Sequence, residues 1–287
     1  MNNIVIVLNY NDSKNCLKLY NQVKNYKCID KIIFIDNNSD NSDYKSLKKI
    51  KDLKVNIIRN EFNKGYAYGN NCGIKYAIKK YGKCNLIISN PDVEIEEKDL
   101  EGLINQLNSN DNISVIAPTI REGNTLNRGW KLTDGWDELR ISIPKYGKNR
   151  NKIVGYSNDH YKEDLSKVDV VSGCFFIIKS DVIQDINFLD ENTFLYYEEN
   201  ILGKKLKDNN YNVYVSNKYS AVHNRSQTVD RSIKYVNKFK ILKKSQKYYL
   251  NNYTKTNFIN KMLIFLFLSI TLIGIRIRSR KYAKEKE

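Results

Sequence analysis

The chain has little from which to build a covalent or metal-bound framework. Its 5 cysteines, Cys16, Cys28, Cys72, Cys84 and Cys174, are well spread and odd in number, and none forms a CxxC pair. That spacing argues against a disulfide scaffold and favours a reducing compartment. No zinc-finger spacing and no RNA-binding aromatic motif occurs, so nucleic acid is not the expected partner. There is no P-loop and no dinucleotide fingerprint. The first apolar run, Ile4–Leu8, lacks a basic lead, so no signal peptide is expected. Proline is scarce, with 3 residues among 287, and no internal repeat is found.

Positive charge is abundant. The formal net charge is +16, and much of it lies late in the chain. Lys234, Lys238, Lys240, Lys243, Lys244 and Lys247 precede an apolar tract, Met262–Ile275. Arg276, Arg278, Arg280, Lys281, Lys284 and Lys286 follow it. Nucleic acid, an anionic membrane surface or a phosphate-bearing substrate could each use such charge, and the membrane ranks first. The tract is shorter than the roughly 20 apolar residues of a span, so a helix lying in the interface fits better. A helix buried against the domain or a partner subunit is the alternative.

The 41% hydrophobic content supports one large domain, with or without appendages. Apolar, β-branched runs at Ile4–Leu8, Lys31–Ile35, Val55–Ile58, Leu86–Ile88 and Ser114–Ala117 read as strands. Helical stretches at about Asn15–Tyr26, Tyr44–Lys51, Asn70–Tyr81 and Lys98–Leu107 separate them. Near-continuous apolar strands alternating with helices predict a mainly parallel α/β sheet covered on both faces. Residues from about 120 to 165, with Gly123, Gly129, Gly135, Gly147, Gly155, Trp130 and Trp136, read as irregular loops. Order returns in a strand at Val170–Lys179, a helix at Phe194–Lys207, and short strands at Asn212–Val215 and Tyr219–His223. A basic helix follows at Ser232–Leu250.

The most informative stretch is Leu86-Ile87-Ile88-Ser89-Asn90-Pro91-Asp92. Proline stops a buried strand and leaves Asp92 at its carboxyl end, where open α/β sheets bind ligands. A carboxylate there, beside an Asn side chain, suits a hard divalent cation holding a phosphate. The plainer reading is a helix-capping carboxylate after a stopped strand. Other candidates carry similar alternatives. Asp36-Asn37-Asn38-Ser39 is a ligand-contacting strand end or a simple turn. Lys64-Gly65-Tyr66-Ala67-Tyr68-Gly69-Asn70-Asn71 is an anion-holding loop before a helix or a capped connection. Glu198 and Glu199 are catalytic carboxylates or ordinary acids at a helix start. His223 is a metal ligand or a structural histidine. Trp130 and Trp136 are sugar platforms or loop plugs. Glu94, Glu96 and Glu97 read as solvated or capping residues, and Cys174 as core.

In order and spacing, these pieces resemble the family-2 inverting glycosyltransferases, and within them the rhamnosyltransferase-like enzymes. The matching stretches are Val7-Leu8-Asn9-Tyr10-Asn11, Ile35-Asp36-Asn37-Asn38-Ser39, Asn63 to Gly73, Asn90-Pro91-Asp92, Ser172-Gly173-Cys174, Phe194 to Glu199 and Val222-His223. The resemblance implies a GT-A fold over residues 1–228. A nucleotide-sugar half spans 1–118 and an acceptor half 119–228, followed by a basic, hydrophobic membrane-associating tail at 229–287. It implies a donor site of Asn9, Tyr10, Asp36, Asn38, Lys64, Gly69, Asn70, Asn71 and Asn90. A Mg2+ or Mn2+ ion would sit on Asp92 and His223. Glu199 would be the base and Glu198 the alternate, although the family normally places Asp where Glu199 stands. Asn90 stands where the family usually has Asp, a departure common in the rhamnosyltransferase-like members. The implied partners are a nucleotide-sugar donor, a saccharide or lipid-linked glycan acceptor, and the cytoplasmic face of the cell membrane. A nucleotidyltransferase and a non-catalytic scaffold subunit stand as rivals.

Overall fold

The computed structural model describes residues 1–143, 150–224 and 235–284. Gly147, the first residues of the expected basic helix at 232–234 and the terminal Lys286 lie outside the described residues. The elements are β1 (Asn2–Asn9), α1 (Ser13–Val23), β2 (Lys31–Asp36), α2 (Asn41–Leu47), β3 (Val55–Arg59), α3 (Tyr66–Tyr81), β4 (Cys84–Ser89), β5 (Val93–Ile95), α4 (Glu97–Ser109), β6 (Val115–Glu122) and β7 (Thr125–Asn127). There follow α5 (Gly135–Ser142), α6 (Arg150–Val154), a 3-10 turn (Asn158–Tyr161), β8 (Leu165–Val168), β9 (Phe175–Lys179), α7 (Ser180–Asp185), α8 (Glu198–Asp208), β10 (Val213–His223), α9 (Tyr235–Asn252) and α10 (Phe258–Lys284).

All described strands join one sheet. Its order is β3-β2-β1-β4-β9-β6-β10-β5, with β7 on β6 and β8 on β10. The first four are parallel, as the unbroken apolar runs predict. β9 then enters antiparallel between β4 and β6, and β6 and β10 are parallel again. Alternate residues face opposite sides. Ile4, Ile6, Ile33 and Ile35 pack against Ala67, Ile74 and Ala77 of α3. Val5, Val7, Ile32 and Phe34 pack against Leu19 of α1 and Leu100, Leu103 and Leu107 of α4. Each such buried aliphatic side chain contributes about 1.5–3 kcal/mol. The result is the expected α/β sheet with helices on both faces.

Three segments depart from the sequence reading. Helix α3 starts at Tyr66, not Asn70, so Gly69, Asn70 and Asn71 are helical and not part of a loop. Gly65 precedes it at φ 104°, and a Cβ there would lie 2.1 Å from the Phe194 carbonyl oxygen. Only glycine lets the chain turn and approach so closely. The region 120–165 is more ordered than expected. The Asp134 side chain caps α5 by accepting from the Trp136 and Asp137 amides. Helix α8 begins at Glu198 instead of Phe194, because Tyr196 and Tyr197 both adopt left-handed backbone, at φ 72° and 68°.

The C-terminal segment packs on the rest of the chain. Leu250 of α9 and Ile264 and Leu268 of α10 form an apolar cluster with Leu139 of α5. Tyr249 is fully buried and donates to the Thr133 carbonyl at 3.0 Å. α10 is longer than the apolar tract suggested. Phe258–Arg278 is long and apolar enough to cross a membrane by length and composition alone. Its inner face is covered by protein, while Ile259, Met262, Leu266, Ile270, Ile273 and Ile277 are exposed along the other.

Candidate active site

The carboxyl ends of β1, β2 and β4 converge with the β6–β10 edge and the start of α8. At the β1 and β2 ends, Asn9 and Asp36 are completely buried. Asn9 Nδ2 donates to Asp36 Oδ1 at 2.9 Å and to Asp43 Oδ2 at 2.8 Å. Asp36 Oδ2 pairs with Arg59 Nε at 3.3 Å, and Arg59 stacks on Tyr44. These two expected donor residues are therefore held inside the protein at the strand ends. Tyr10 and Asn38 reach its surface, and Asn38 is left-handed at φ 64°. Lys64 is exposed, with its ammonium over the Tyr68 ring.

Gly69, Asn70 and Asn71 turn into the protein. A Cβ at Gly69 would lie 2.3 Å from Leu8 Cδ1, so this glycine lets α3 press on β1. Asn71 Nδ2 donates to the Leu189 carbonyl and to Glu191, both at 2.8 Å, while its Oδ1 accepts from the Leu189 amide. Asn70 donates to the Tyr66 carbonyl, and its own Oδ1 is buried without a hydrogen-bond partner. Their contact with a donor molecule would be indirect.

Asp92 and His223 come together. β10 pairs antiparallel with β5, which sets His223 opposite Val93, next to Asp92. A register shift in β10, between Ser216 and Ser220, supplies this alignment. His223 Nε2 lies 3.3 Å from Asp92 Oδ1, and its Nδ1 lies 2.6 Å from Glu122 Oε1. Burial pulls the imidazole's pKa down, but the bonds to Asp92 and Glu122 outweigh it and leave it raised. The Glu122 carboxylate on Nδ1 orients the ring in the way metal-ligating histidines are oriented, with Nε2 turned toward Asp92. One carboxylate and one imidazole are ligand types that Mg2+ or Mn2+ accepts, so Asp92 and His223 would be the residues to hold such an ion. Among the described residues, no group of three His, Cys, Asp or Glu side chains could hold a metal by itself.

Glu198 and Glu199 open α8 directly after the left-handed pair. Burial raises both carboxyls, and the neighbouring Glu199 charge raises Glu198 further, well above the ordinary range. Glu199's own amide, the Arg150 charge and the Gly173 amide oppose the rise at Glu199. Glu198 Oε2 is buried without a hydrogen-bond partner. Glu198 carries the stronger rise of the two, because the Glu199 charge adds to its burial. Glu199 Oε1 fills the place a side chain at Gly173 would take, 3.0 Å from an added Cβ. The Gly173 carbonyl accepts from Tyr66 Oη at 2.5 Å, and the Tyr66 amide donates to Phe194 at 3.0 Å.

The two carboxylate centres meet across Cys174. The Asn90 amide donates to the Cys174 carbonyl at 2.8 Å. Burial pushes this thiol up to about 12, and the charges of Glu122, Asp92 and Glu199 add to the rise. It is a core residue, as its setting predicted. The tryptophans differ. Trp130 Nε1 donates to Asn200, one residue from Glu199, and Arg150 stacks on its ring. Trp136 is 63% exposed on the far side of α5. His160 stacks on Tyr156 and faces the Lys167 carbonyl, away from these centres. Glu94 pairs with Lys18 and Glu96 with Lys98, as solvated acids do.

Three residues at this site were not expected from sequence: Glu122, Arg150 and Arg59. Glu122 ends an apolar strand, the one position in β6 where a carboxylate could have drawn attention. The others carry no local signal.

This geometry has counterparts. The low-salt glycan biosynthesis hexosyltransferase Agl10 of Haloferax volcanii is 27% identical over 232 residues, covering 79% of this chain and 68% of Agl10. Among solved structures, GalNAc-T7 with UDP, GalNAc and Mn2+ superposes with a TM-score of 0.57 at 15% identity, over 88% of this chain. The chain spans about half of that protein, 51%. The mannosyltransferase PcManGT of Pyrobaculum calidifontis, in complex with GDP-Man and Mn2+, gives 0.56 at 12% identity, over 98% of this chain and 79% of that one. S. aureus TarS 1-349 gives 0.54 at 14% identity, over 88% and 72%. These likenesses bear out the GT-A fold. The glycosyl transferase family 2 model matches residues 4–186, well over half of the chain, and the chain belongs to that family.

Proposed function

We propose that this glycosyltransferase is metal-dependent and inverting, and moves a sugar from a nucleotide-sugar donor onto a saccharide or lipid-linked glycan in surface polysaccharide assembly. One observation supports the reading: the Glu199 carboxylate lies against Gly173, and Asn90, two residues before Asp92, hydrogen-bonds the next residue, Cys174. Asp92 and His223 would hold Mg2+ or Mn2+, which neutralises charge on the departing nucleoside diphosphate. Tyr10, Asn38, Lys64 and Asn90 would contact the donor, next to the buried strand ends at Asn9 and Asp36. Glu199 would take the proton from the acceptor hydroxyl. The acceptor oxygen then bonds the anomeric carbon as the bond to the diphosphate oxygen breaks, so a single displacement inverts the configuration. Asn90 in place of the family's Asp makes rhamnose the first donor sugar to test.

Residues 1–118 would hold the donor and 119–228 the acceptor. Residues 229–287 would rest on the cytoplasmic face of the membrane, with α10's exposed apolar stripe inward. Lys243 and Lys247, which contact Ser269 and the Phe265 ring on the flank of α10, would face anionic headgroups. A panel of nucleotide sugars with candidate acceptors, with and without Mn2+, tests the chemistry. Turnover that needs the ion and vanishes in Asp92→Ala and Glu199→Gln supports it. Donor binding without turnover on any acceptor sinks it and favours the scaffold, the reading that Glu in place of the family's Asp keeps open. Vesicles of anionic and of neutral lipid test the tail, and equal absence of binding to both removes the membrane claim.

A further inference from the structure

Glu138 lies on α5, outside the donor and metal sites, and is almost wholly buried. Its carboxylate joins three elements. Oε1 accepts from Thr133 Oγ1 at 2.5 Å. Oε2 accepts from Tyr197 Oη at 2.6 Å and from Gln246 Nε2 at 2.5 Å. A residue of the catalytic turn and a residue of the C-terminal helix α9 thus meet on one oxygen atom. Burial raises the Glu138 carboxyl, and the three donors hold its ionised form against that rise.

The surroundings reinforce the link. Tyr249 of α9 packs on the Tyr197 ring at 5.3 Å, and Ser245 donates to the Leu195 carbonyl at 2.8 Å. Thr133 also receives Asn200 Nδ2 at 3.2 Å, from the residue after Glu199. Both tyrosines of the turn are left-handed, a conformation that non-glycine residues hold only where surroundings enforce it. The enforcing contacts come from α5 and α9, and α10 packs on both.

We propose that Glu138 is a positioning residue: it fixes Tyr197, and through it the aim of Glu199, and makes that aim depend on the docking of the C-terminal helix pair. The inference rests on the reading of Glu199 as base, but its core can be tested without turnover. Full-length Glu138→Gln, Gln246→Leu and Tyr197→Phe keep side-chain volume and remove bonds to one oxygen. Tyr197→Phe removes a single hydroxyl and is the variant least able to unfold the chain. Hydrogen–deuterium exchange is read over residues 193–200 and over β1 and β4, beside kcat and KM for the nucleotide-sugar donor.

Each variant is expected to speed exchange in 193–200 and leave β1 and β4 unchanged. With turnover, kcat falls ~10–100-fold while donor KM stays within about twofold. Glu138→Gln combined with Tyr197→Phe is no worse than Glu138→Gln alone, because the Tyr197 hydroxyl acts through that carboxylate. If Gln246→Leu leaves exchange in 193–200 unchanged, the link to the C-terminal helices does not exist. If the variants lower Tm while kcat per folded molecule is unchanged, Glu138 is a structural hub and the proposal is overturned. Absence of turnover in the wild-type chain would defeat the functional reading, while the exchange result would still decide this one.

Discussion

The two carboxylate centres of this site are held in opposite ways. Asp92 and Glu122 flank a histidine, which separates their charges and turns one ring nitrogen toward each carboxylate. Glu198 and Glu199 are adjacent, half-buried, and supported mainly by backbone amides and the more distant charge of Arg150. The first arrangement relieves its charge with an imidazole. The second is stabilised by adding a proton. Carboxylates of one chain thus acquire two chemistries from their neighbours alone.

The comparison breaks most directly at Glu199. Glu199→Gln keeps the shape and removes the basic oxygen, and turnover is expected to fall ~10²–10⁴-fold with donor binding intact. Asp92→Ala is expected to cost ~10²–10³-fold at fixed Mn2+, the scale for losing one electrostatic stabiliser. A Mn2+ titration of nucleoside diphosphate binding would register this as lost ion dependence. Glu122→Gln sharpens the contrast, since it leaves both proposed ligands but loosens the imidazole. Metal affinity should weaken ~10–100-fold, with no change in the pH dependence of the base.

The smallest effect, at Glu198, has an unusual sign. Its folded-state pKa is raised, so the folded protein binds more protons than the unfolded chain between the ordinary glutamate value and the raised one. Stability from this group is complete below the unfolded value and is lost as pH rises through the folded one. Glu198→Gln should therefore raise Tm at neutral pH and leave it nearly unchanged in acid, as thermal melts at both pH values would reveal. A lower Tm at neutral pH would mean that the Glu198 carboxyl is not raised in the folded chain.

Legibility from sequence followed the range of the interactions. β1, β2 and β4 are continuous apolar runs, buried on both sides, and their pattern is local. The Asn-Pro-Asp stop is local as well. β9 was readable as a strand, but its antiparallel insertion between β4 and β6 depends on pairing with residues about sixty to ninety positions away, which no local period encodes. Helix α3 was placed four residues late because its start depends on a bond from Tyr66 to Phe194. Asp92 was read from its place after the stopped strand, and His223 as a ligand through resemblance. Glu122 and Glu138 were not legible, since their partners lie 101 residues away in one case and 59 and 108 in the other.

Gly173 extends this beyond mechanism. A methyl group there would push on Glu199 Oε1, Cγ and Cδ from 3.0 to 3.4 Å, displacing them by tenths of an ångström without changing any charge. Its emptiness is useful only while something needs the space. A chain that had abandoned Glu199 could fill position 173 at no loss and would gain a stiffer backbone. In this chain Gly173→Ala would move the proposed base without altering its charge, a steric test separate from Glu199→Gln.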